Sequence, residues 1–271
     1  MELAGYFAAV LIGISLGLVG AGGSILTVPL MIYLFRLPVF AATSYSLFIV
    51  GCTSLVGALN NTGNYKARRI SSVLLFCFIS ATTVSLVRKY IIPQIPETIS
   101  LAGIPVEFSV ITTVLFAVLM IFASRPLIAK TNYPEAQHTG AGNPLYRLLI
   151  CALLVGAVTG FLGAGGGFLI IPALIFILGF EMKDAISTSL MIIAVNSIVG
   201  FASDFGNISI NWKLLGYVTI AAVAGVFAGR IIGKKTSSDK LRIIFGWFIL
   251  LMGVTILIKE TIAFISKFNH L

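Results

Sequence analysis

Two stretches of this chain have residue types that could hold a small anion on bare backbone. Gly20-Ala21-Gly22-Gly23-Ser24 and Gly163-Ala164-Gly165-Gly166-Gly167 each lie inside a long apolar run. Glycines precede both at the same spacing (Gly13 and Gly17; Gly156 and Gly160), and a proline follows both at the same distance (Pro29; Pro172). Such a cluster lets the main chain take positive φ and lets a ligand approach it closely. A helix starting just after the turn offers unpaired N–H groups and the positive end of its dipole, which suits an oxyanion. The candidate contacts are Gly20, Gly22, Gly23 and Ser24 in the first stretch and Gly163, Gly165, Gly166 and Gly167 in the second. Ser24 adds a hydroxyl where the second stretch has Gly167, so the expected site is asymmetric. No Gly-Lys-Ser/Thr follows either cluster, and Gly-x-Gly-x-x-Gly is not completed, so neither is a nucleotide loop.

Further polar candidates sit on the next helix of each half: the serine pairs Ser44/Ser46 and Ser187/Ser189, and Asn196 in mid-segment. These either line the anion site or cap and cross-link helices. The Gly-xxx-Gly pairs Gly13/Gly17, Gly156/Gly160 and Gly225/Gly229 read as close helix contacts. Asp204 reads as a loop residue, and Arg88 and Arg230 as interface anchors ending equivalent helices. No Asp, Glu or His stands in the middle of an expected span, so a buried carboxylate relay is not evident. Nothing resembles a nucleophile–base pair or a His/Cys/Asp metal cluster. No enzyme activity and no cofactor is expected. Cys52, Cys77 and Cys151 lie in apolar runs without Cys-x-x-Cys spacing and read as packing residues.

The elements that must position these residues are membrane helices. Of 271 residues 58% are hydrophobic and 10% charged, against roughly 25% charged in an ordinary soluble domain. Mean hydropathy is +1.07. Several segments reach the ~20 apolar residues that cross a bilayer. The net charge of +9 belongs to loops on one side of a membrane and not to a nucleic-acid surface, because no basic stripe interleaved with aromatics occurs. The N-terminus lacks a basic region before its apolar run and does not read as a signal peptide.

In order, the sequence predicts a helix to about residue 19, a glycine turn, a helix over 24–35, and spans over 39–59, 70–87 and 106–124, with a proline-rich loop at 93–105. The polar stretch 125–147 links this first repeat, 1–124, to a second, 148–271. There the pattern recurs: an apolar run over 148–180 broken at 163–167, then spans over 184–202, 212–229 and 243–258 and a short charged tail. Laying 13–64 on 156–207 without gaps gives 19 identities in 52, Ser54/Ser197 and Gly57/Gly200 among them. Basic residues concentrate in 66–69, 125–147 and 230–242, which places those loops on the cytoplasmic side. Equivalent loops 60–69 and 203–213 then fall on opposite sides, so the repeats are inverted, a common transporter design. The run 148–180 must cross twice or not at all. The segments after the glycines, about 12 residues each, are too short for a ~30 Å core and read as half-helices meeting near the midplane. The expected fold is all-α and polytopic, with two inverted-topology repeats, each holding a glycine-broken helical hairpin, and about 8–10 membrane helical segments.

With these residues placed, Gly17-Leu18-Val19-Gly20-Ala21-Gly22-Gly23 with Pro29, repeated as Gly160-Phe161-Leu162-Gly163-Ala164-Gly165-Gly166-Gly167 with Pro172, resembles the TauE/SafE-type sulfite exporter family. Ala185-Ile186-Ser187-Thr188-Ser189-Leu190, Gly206-Asn207-Ile208 and the Gly225–Arg230 helix end are similar too, so the resemblance covers nearly the whole chain. Ser24 replaces a third glycine, and 81–86 lack the glycines of 225–229. The resemblance implies a multi-pass carrier of the inner (plasma) membrane, without ATPase parts. Its expected substrate is a sulfur-containing anion such as sulfite, thiosulfate or an organosulfonate, exported by alternating access. An anion channel and a non-transporting scaffold are the alternatives. The lipid bilayer and the small anion are the expected partners, and nucleic acid is not.

Overall fold

The computed structural model describes the chain except for residues 1, 20, 60–69, 97, 102–103, 129–143, 164, 177–179, 181, 234–237 and 269–271. The described residues form ten α-helices: α1 Glu2–Val19, α2 Thr27–Tyr33, α3 Val39–Leu59, α4 Ile70–Leu86, α5 Phe108–Ile128, α6 Pro144–Leu162, α7 Gly167–Phe176, α8 Met182–Ser203, α9 Trp212–Gly233 and α10 Ser238–Phe268. Five stretches are long and apolar enough to span a membrane: Val39–Leu59, Ser71–Gln94, Leu145–Leu162, Asp184–Ser203 and Trp212–Ile232. Large apolar side chains face outward along them, including Phe78 at 72% and Ile220 at 69% exposure. In water such rows would be costly; against acyl chains they are not. The chain is an integral, multi-pass, all-α membrane protein.

The helices begin and end where their sequence dictates. Pro144 opens α6 at the first helical position, where a missing N–H costs nothing. Asn211 caps α9, its side-chain oxygen accepting the Leu214 N–H at 3.2 Å. Tyr45 of α3 holds that junction from the side, accepting the Asn211 N–H at 2.5 Å and donating to the Ser209 carbonyl at 3.4 Å. Helix α2 ends in a left-handed residue, Arg36 at φ 54°, while the Leu37 N–H returns to the Met31 carbonyl at 3.1 Å.

Three local features depart from the sequence reading. The first glycine cluster is not an open turn: Ala21–Leu26 winds as a 3-10 helix and runs directly into α2. The polar stretch after α4 remains helical, as a π-turn over Val87–Ile91 and a 3-10 turn over Ile92–Gln94, and the loop beyond it carries an antiparallel hairpin, β1 Thr98–Leu101 with β2 Ile104–Glu107. Helix α10 does not stop near residue 258 but continues to Phe268, because no Gly or Pro follows to end it.

The chain forms two compact units that cut across the sequence repeats. The smaller one, Pro93–Asn132 with Ser238–Leu271, holds the hairpin and α5 packed on α10. There Gly253 lets α10 approach α5, since a β-carbon on it would lie 3.1 Å from the Ala117 carbonyl. The larger one, Met1–Ile92 with Tyr133–Ser237, holds the rest. Its core draws on α3, α4, α6, α7 and α8, with Val50, Phe76, Ala152, Ile170, Leu174 and Ile192 all buried.

Within the larger unit the repeats interleave. Helix α1 packs on α9 and α6 on α4, so each repeat's first helix lies against the other repeat's fourth. Helices α3 and α8, equivalent in the two repeats, pack on each other. Exchanging the repeats maps the α1–α9 contact onto the α6–α4 contact and the α3–α8 contact onto itself. The small-residue spacings make the contacts close. β-carbons on Gly13 and Gly17 would collide with the Ala222 and Val226 carbonyls, and on Gly225 and Gly229 with those of Val10 and Ile14. One on Gly156 would lie 2.6 Å from the Ser80 carbonyl.

Candidate functional site

The second glycine cluster breaks the helix between α6 and α7 within the larger unit. Gly163, Gly165 and Gly166 take φ of 66°, 69° and 66°, a region where a β-carbon is strained. The Gly163 N–H closes α6 on the Thr159 carbonyl at 2.9 Å, and the Leu169 and Ile170 N–H groups start α7 on the Gly166 carbonyl at 3.0 and 3.1 Å. The neighbours leave no room for side chains. A β-carbon on Gly163 would lie 2.7 Å from Thr43 Cα; on Gly165, 2.6 Å from Val50 Cγ1 and 3.1 Å from Ser197 Oγ; on Gly166, in collision with Thr159 Oγ1. The turn is thus pressed into the seam between α3 and α8.

The first cluster meets it from the other repeat. The 3-10 segment Ala21–Leu26, which carries Gly22, Gly23 and a fully buried Ser24, packs against α7. The two broken segments therefore touch, though they are built differently: one is right-handed and wound, the other left-handed at three glycines. The seven residues of α2 and ten of α7, about 10 and 15 Å long, are far shorter than a ~30 Å hydrocarbon core.

Several buried polar side chains of α2, α3, α6 and α8 lack the partners that a dry interior normally supplies. Thr27, Ser46, Ser54, Thr159 and Ser197 are buried with no hydrogen-bond partner for their hydroxyls among the described residues. Ser54 and Ser197 are equivalent positions of the two repeats. Asn196 Oδ1 accepts from Ser80 of α4 at 2.9 Å, while its amide nitrogen has no partner. Burying an unpaired hydroxyl or amide costs about 1–3 kcal/mol, and each of these groups carries that cost uncompensated.

A buried ion pair lies beside Thr43 and Ser44 of α3. Arg88, placed at the π-turn after α4, is fully buried, as is Asp204 just beyond α8. Arg88 Nε donates to Asp204 Oδ1 at 3.0 Å, and Ser44 Oγ donates to Oδ2 at 2.5 Å. Arg88 Nη2 donates to Thr43 Oγ1 at 2.7 Å, and Thr43 in turn donates to the Phe40 carbonyl at 2.8 Å. The guanidinium carbon stands 5.6 Å from the centre of the Phe40 ring, close enough for a cation–π contact. Arg88 Nη1 has no hydrogen-bond partner among the described residues. Reading Arg88 as an interface anchor is corrected by its burial; Asp204 lies in the turn after α8, as its loop reading has it, but its carboxylate is buried and accepts from both Arg88 and Ser44. The π-turn explains the first: its wider winding leaves Val87 and Arg88 buried and Lys89 to Ile91 exposed.

The expected site residues are thus placed unevenly. Gly20 lies outside the described residues. Gly22, Gly23 and Ser24 occupy the 3-10 segment, Gly163, Gly165 and Gly166 the turn, Gly167 the first position of α7, and Ser44 the ion-pair network. Ser46 and Asn196 are fully buried. Ser187 is half-buried, and Ser189 spends its hydroxyl on the Ile186 carbonyl at 2.8 Å, a helix back-bond. Thr159, Arg88 and Asp204 were not among the expected contacts. Near the other ends of α2 and α9, an open cleft of about 490 Å³ is lined by Tyr6, Arg36, Asn211, Lys213 and Tyr217 among others.

Half-helices in contact, close-packed membrane helices and buried polar groups at their junction define a polytopic membrane transporter in outline. The sequence model for "Sulfite exporter TauE/SafE" matches residues 6–256. The chain belongs to that family. It is similar to a "Probable membrane transporter protein" of Xylella fastidiosa (strain Temecula1), 24% identical over 269 residues that cover 94% of this chain and 95% of the relative. "Probable membrane transporter protein YunE" of Bacillus subtilis is 27% identical, with 87% and 90% covered. "Probable membrane transporter protein MJ0441" of Methanocaldococcus jannaschii is 32% identical over 109 residues, 38% of this chain and 41% of the relative. No solved structure matches the chain.

Proposed function

We propose that this protein is a secondary transporter that exports a small sulfur-containing anion, such as sulfite, thiosulfate or an organosulfonate, by alternating access. The observation that carries the reading is the contact between the two glycine-broken segments beside Ser197 and Thr159, whose buried hydroxyls lack protein partners. An anion seated at the second turn takes hydrogen bonds from these hydroxyls and from the N–H groups of Gly167 and Phe168, which open α7 ahead of the two N–H groups that the Gly166 carbonyl holds. Gly22, Gly23 and Ser24 approach it from the other repeat, and Ser46 and Asn196 belong to the same polar seam. Helices α1 and α9 pack closely, as do α6 and α4, so in this reading the bodies that rock each draw helices from both sequence repeats. The family match supports the class of substrate.

Vesicles reconstituted with the purified protein and loaded with labelled sulfite, thiosulfate or sulfoacetate test the reading. Saturable efflux accelerated by the same anion outside is the expected result. No flux with any of these anions overturns it. Flux that neither saturates nor shows counterflow makes the protein a channel.

A further inference from the structure

We infer that Arg88 is itself an anion contact, with Asp204 as the residue that positions it; this rests on the transport reading above. Arginine presents its donors as a rigid planar fork suited to oxyanions. Here the fork is held on two sides. Nε is fixed by Asp204 and Nη2 by Thr43, while Nη1 has no partner although the side chain is 0% exposed. A structural ion pair with complete burial needs its donors satisfied, because the low dielectric makes an unpaired charged N–H costly. An orphan guanidinium nitrogen is therefore a poor design for stability and a good one for receiving an oxygen.

Its position agrees. Thr43, which accepts from Nη2, is the residue that Gly163 of the second turn packs against. On the other side the Arg88 side chain runs beside Gly200 of α8, 3.7 Å from where a β-carbon would stand. Ser197, Gly200 and Asp204 follow one another along one face of that helix, and Ser197 lies about 10 Å from Asp204 at 1.5 Å per residue. The seam thus has hydroxyl donors at the turn and a charged donor one to two helical turns further along. An anion leaving the turn toward that end reaches Nη1 next.

The charge balance makes the role separable from a structural one. The Arg88–Asp204 pair is neutral as a unit, so an arriving anion meets attraction from Arg88 and repulsion from Asp204. Removing the carboxylate alone leaves a free cation and favours the anion. Removing both charges leaves a neutral site that still packs. A purely structural pair behaves oppositely: breaking one side harms, and neutralising both restores.

Binding of sulfite, with thiosulfate and sulfoacetate in parallel, is measured by calorimetry on detergent-solubilised wild type, Asp204→Asn and the double variant Arg88→Gln/Asp204→Asn. The double variant is expected to stay folded, as judged by monodisperse elution and a cooperative melt, and to bind roughly tenfold to a hundredfold more weakly, the worth of a charge-assisted hydrogen bond. Asp204→Asn is expected to bind more tightly than wild type and to gain more thermal stability from the anion. A folded double variant that binds as wild type overturns the role of Arg88 and leaves the transport reading intact. Failure of wild type to bind or move any of the three anions overturns both.

Discussion

Gly163 and Thr43 are in contact so close that a β-carbon on the glycine would stand 2.7 Å from the threonine's Cα and 2.8 Å from its carbonyl oxygen. Gly163 belongs to the broken segment of the second repeat, and Thr43 to the first full span of the other. Through Thr43 Oγ1 the contact continues to Arg88 and from there to Asp204. One chain of touching groups thus joins the glycine turn to the buried ion pair.

Substitution at the two glycine clusters is expected to have unequal effects. Gly165→Ala combines positive φ with a collision against Val50, and is expected to cost about 2–4 kcal/mol and to abolish flux in reconstituted vesicles. Gly22→Ala falls in a right-handed 3-10 segment, where alanine fits the backbone. It is expected to keep a melting temperature near that of wild type. Equal melting temperatures for the two variants would remove the asymmetry described here.

Hydroxyl deletion separates binding from stability. Ser197→Ala and Thr159→Val remove buried groups that have no partner, so detergent melts are expected to hold steady or rise, by up to about 1–2 kcal/mol of stability. Sulfite affinity is expected to fall roughly fivefold or more for each lost hydrogen bond. A drop in both quantities together would mean that the hydroxyls serve the fold.

The glycines of α9 form an internal control. Gly216 has nothing within 4 Å of its would-be β-carbon, whereas Gly225 would strike the Val10 carbonyl. Gly216→Ala is expected to be neutral or to stabilise by about 0.5–1 kcal/mol through helix propensity, while Gly225→Ala forces α1 and α9 apart and lowers the melt by several degrees. Circular dichroism melts of the two variants decide the matter.

Charge at the open cleft is expected to act on rate. Arg36→Gln/Lys213→Gln removes two cations from the lining. Apparent affinity for the transported anion is expected to weaken at low ionic strength, with the difference shrinking as added salt shortens the screening length below about 10 Å. An effect independent of salt would mean that the cations do not steer the anion.

The sequence carries most of the architecture because its signals are periodic and local. The paired Gly-Pro runs announce two broken helices, and Gly13, Gly17, Gly225 and Gly229 lie at the contacts their spacing suggests. Composition fixes the membrane class, since 58% apolar residues leave no other solvent. The ion pair was not legible. Arg88 stands next to Lys89 near a helix end, and Asp204 opens a Gly-Asn turn, so each looks like an ordinary surface group. Their meeting depends on a π-turn, which has no simple sequence signature, and on partners 116 residues apart. Nor could the difference between the two clusters be read, because Gly22 and Gly165 align as identical residues while their backbones are wound with opposite hands.

The clasp of α1 on α9 also has a consequence for how the molecule is made. Gly13 leaves the ribosome about 200 residues before Gly225, a delay of roughly 10–40 s at ordinary elongation rates. Through that interval α1 sits in the bilayer with its small-residue face uncovered, and a premature partner would block the seat that α9 must take. Order of synthesis therefore sets a demand on the insertion machinery, which must shelter the first helix until nearly the whole chain has emerged.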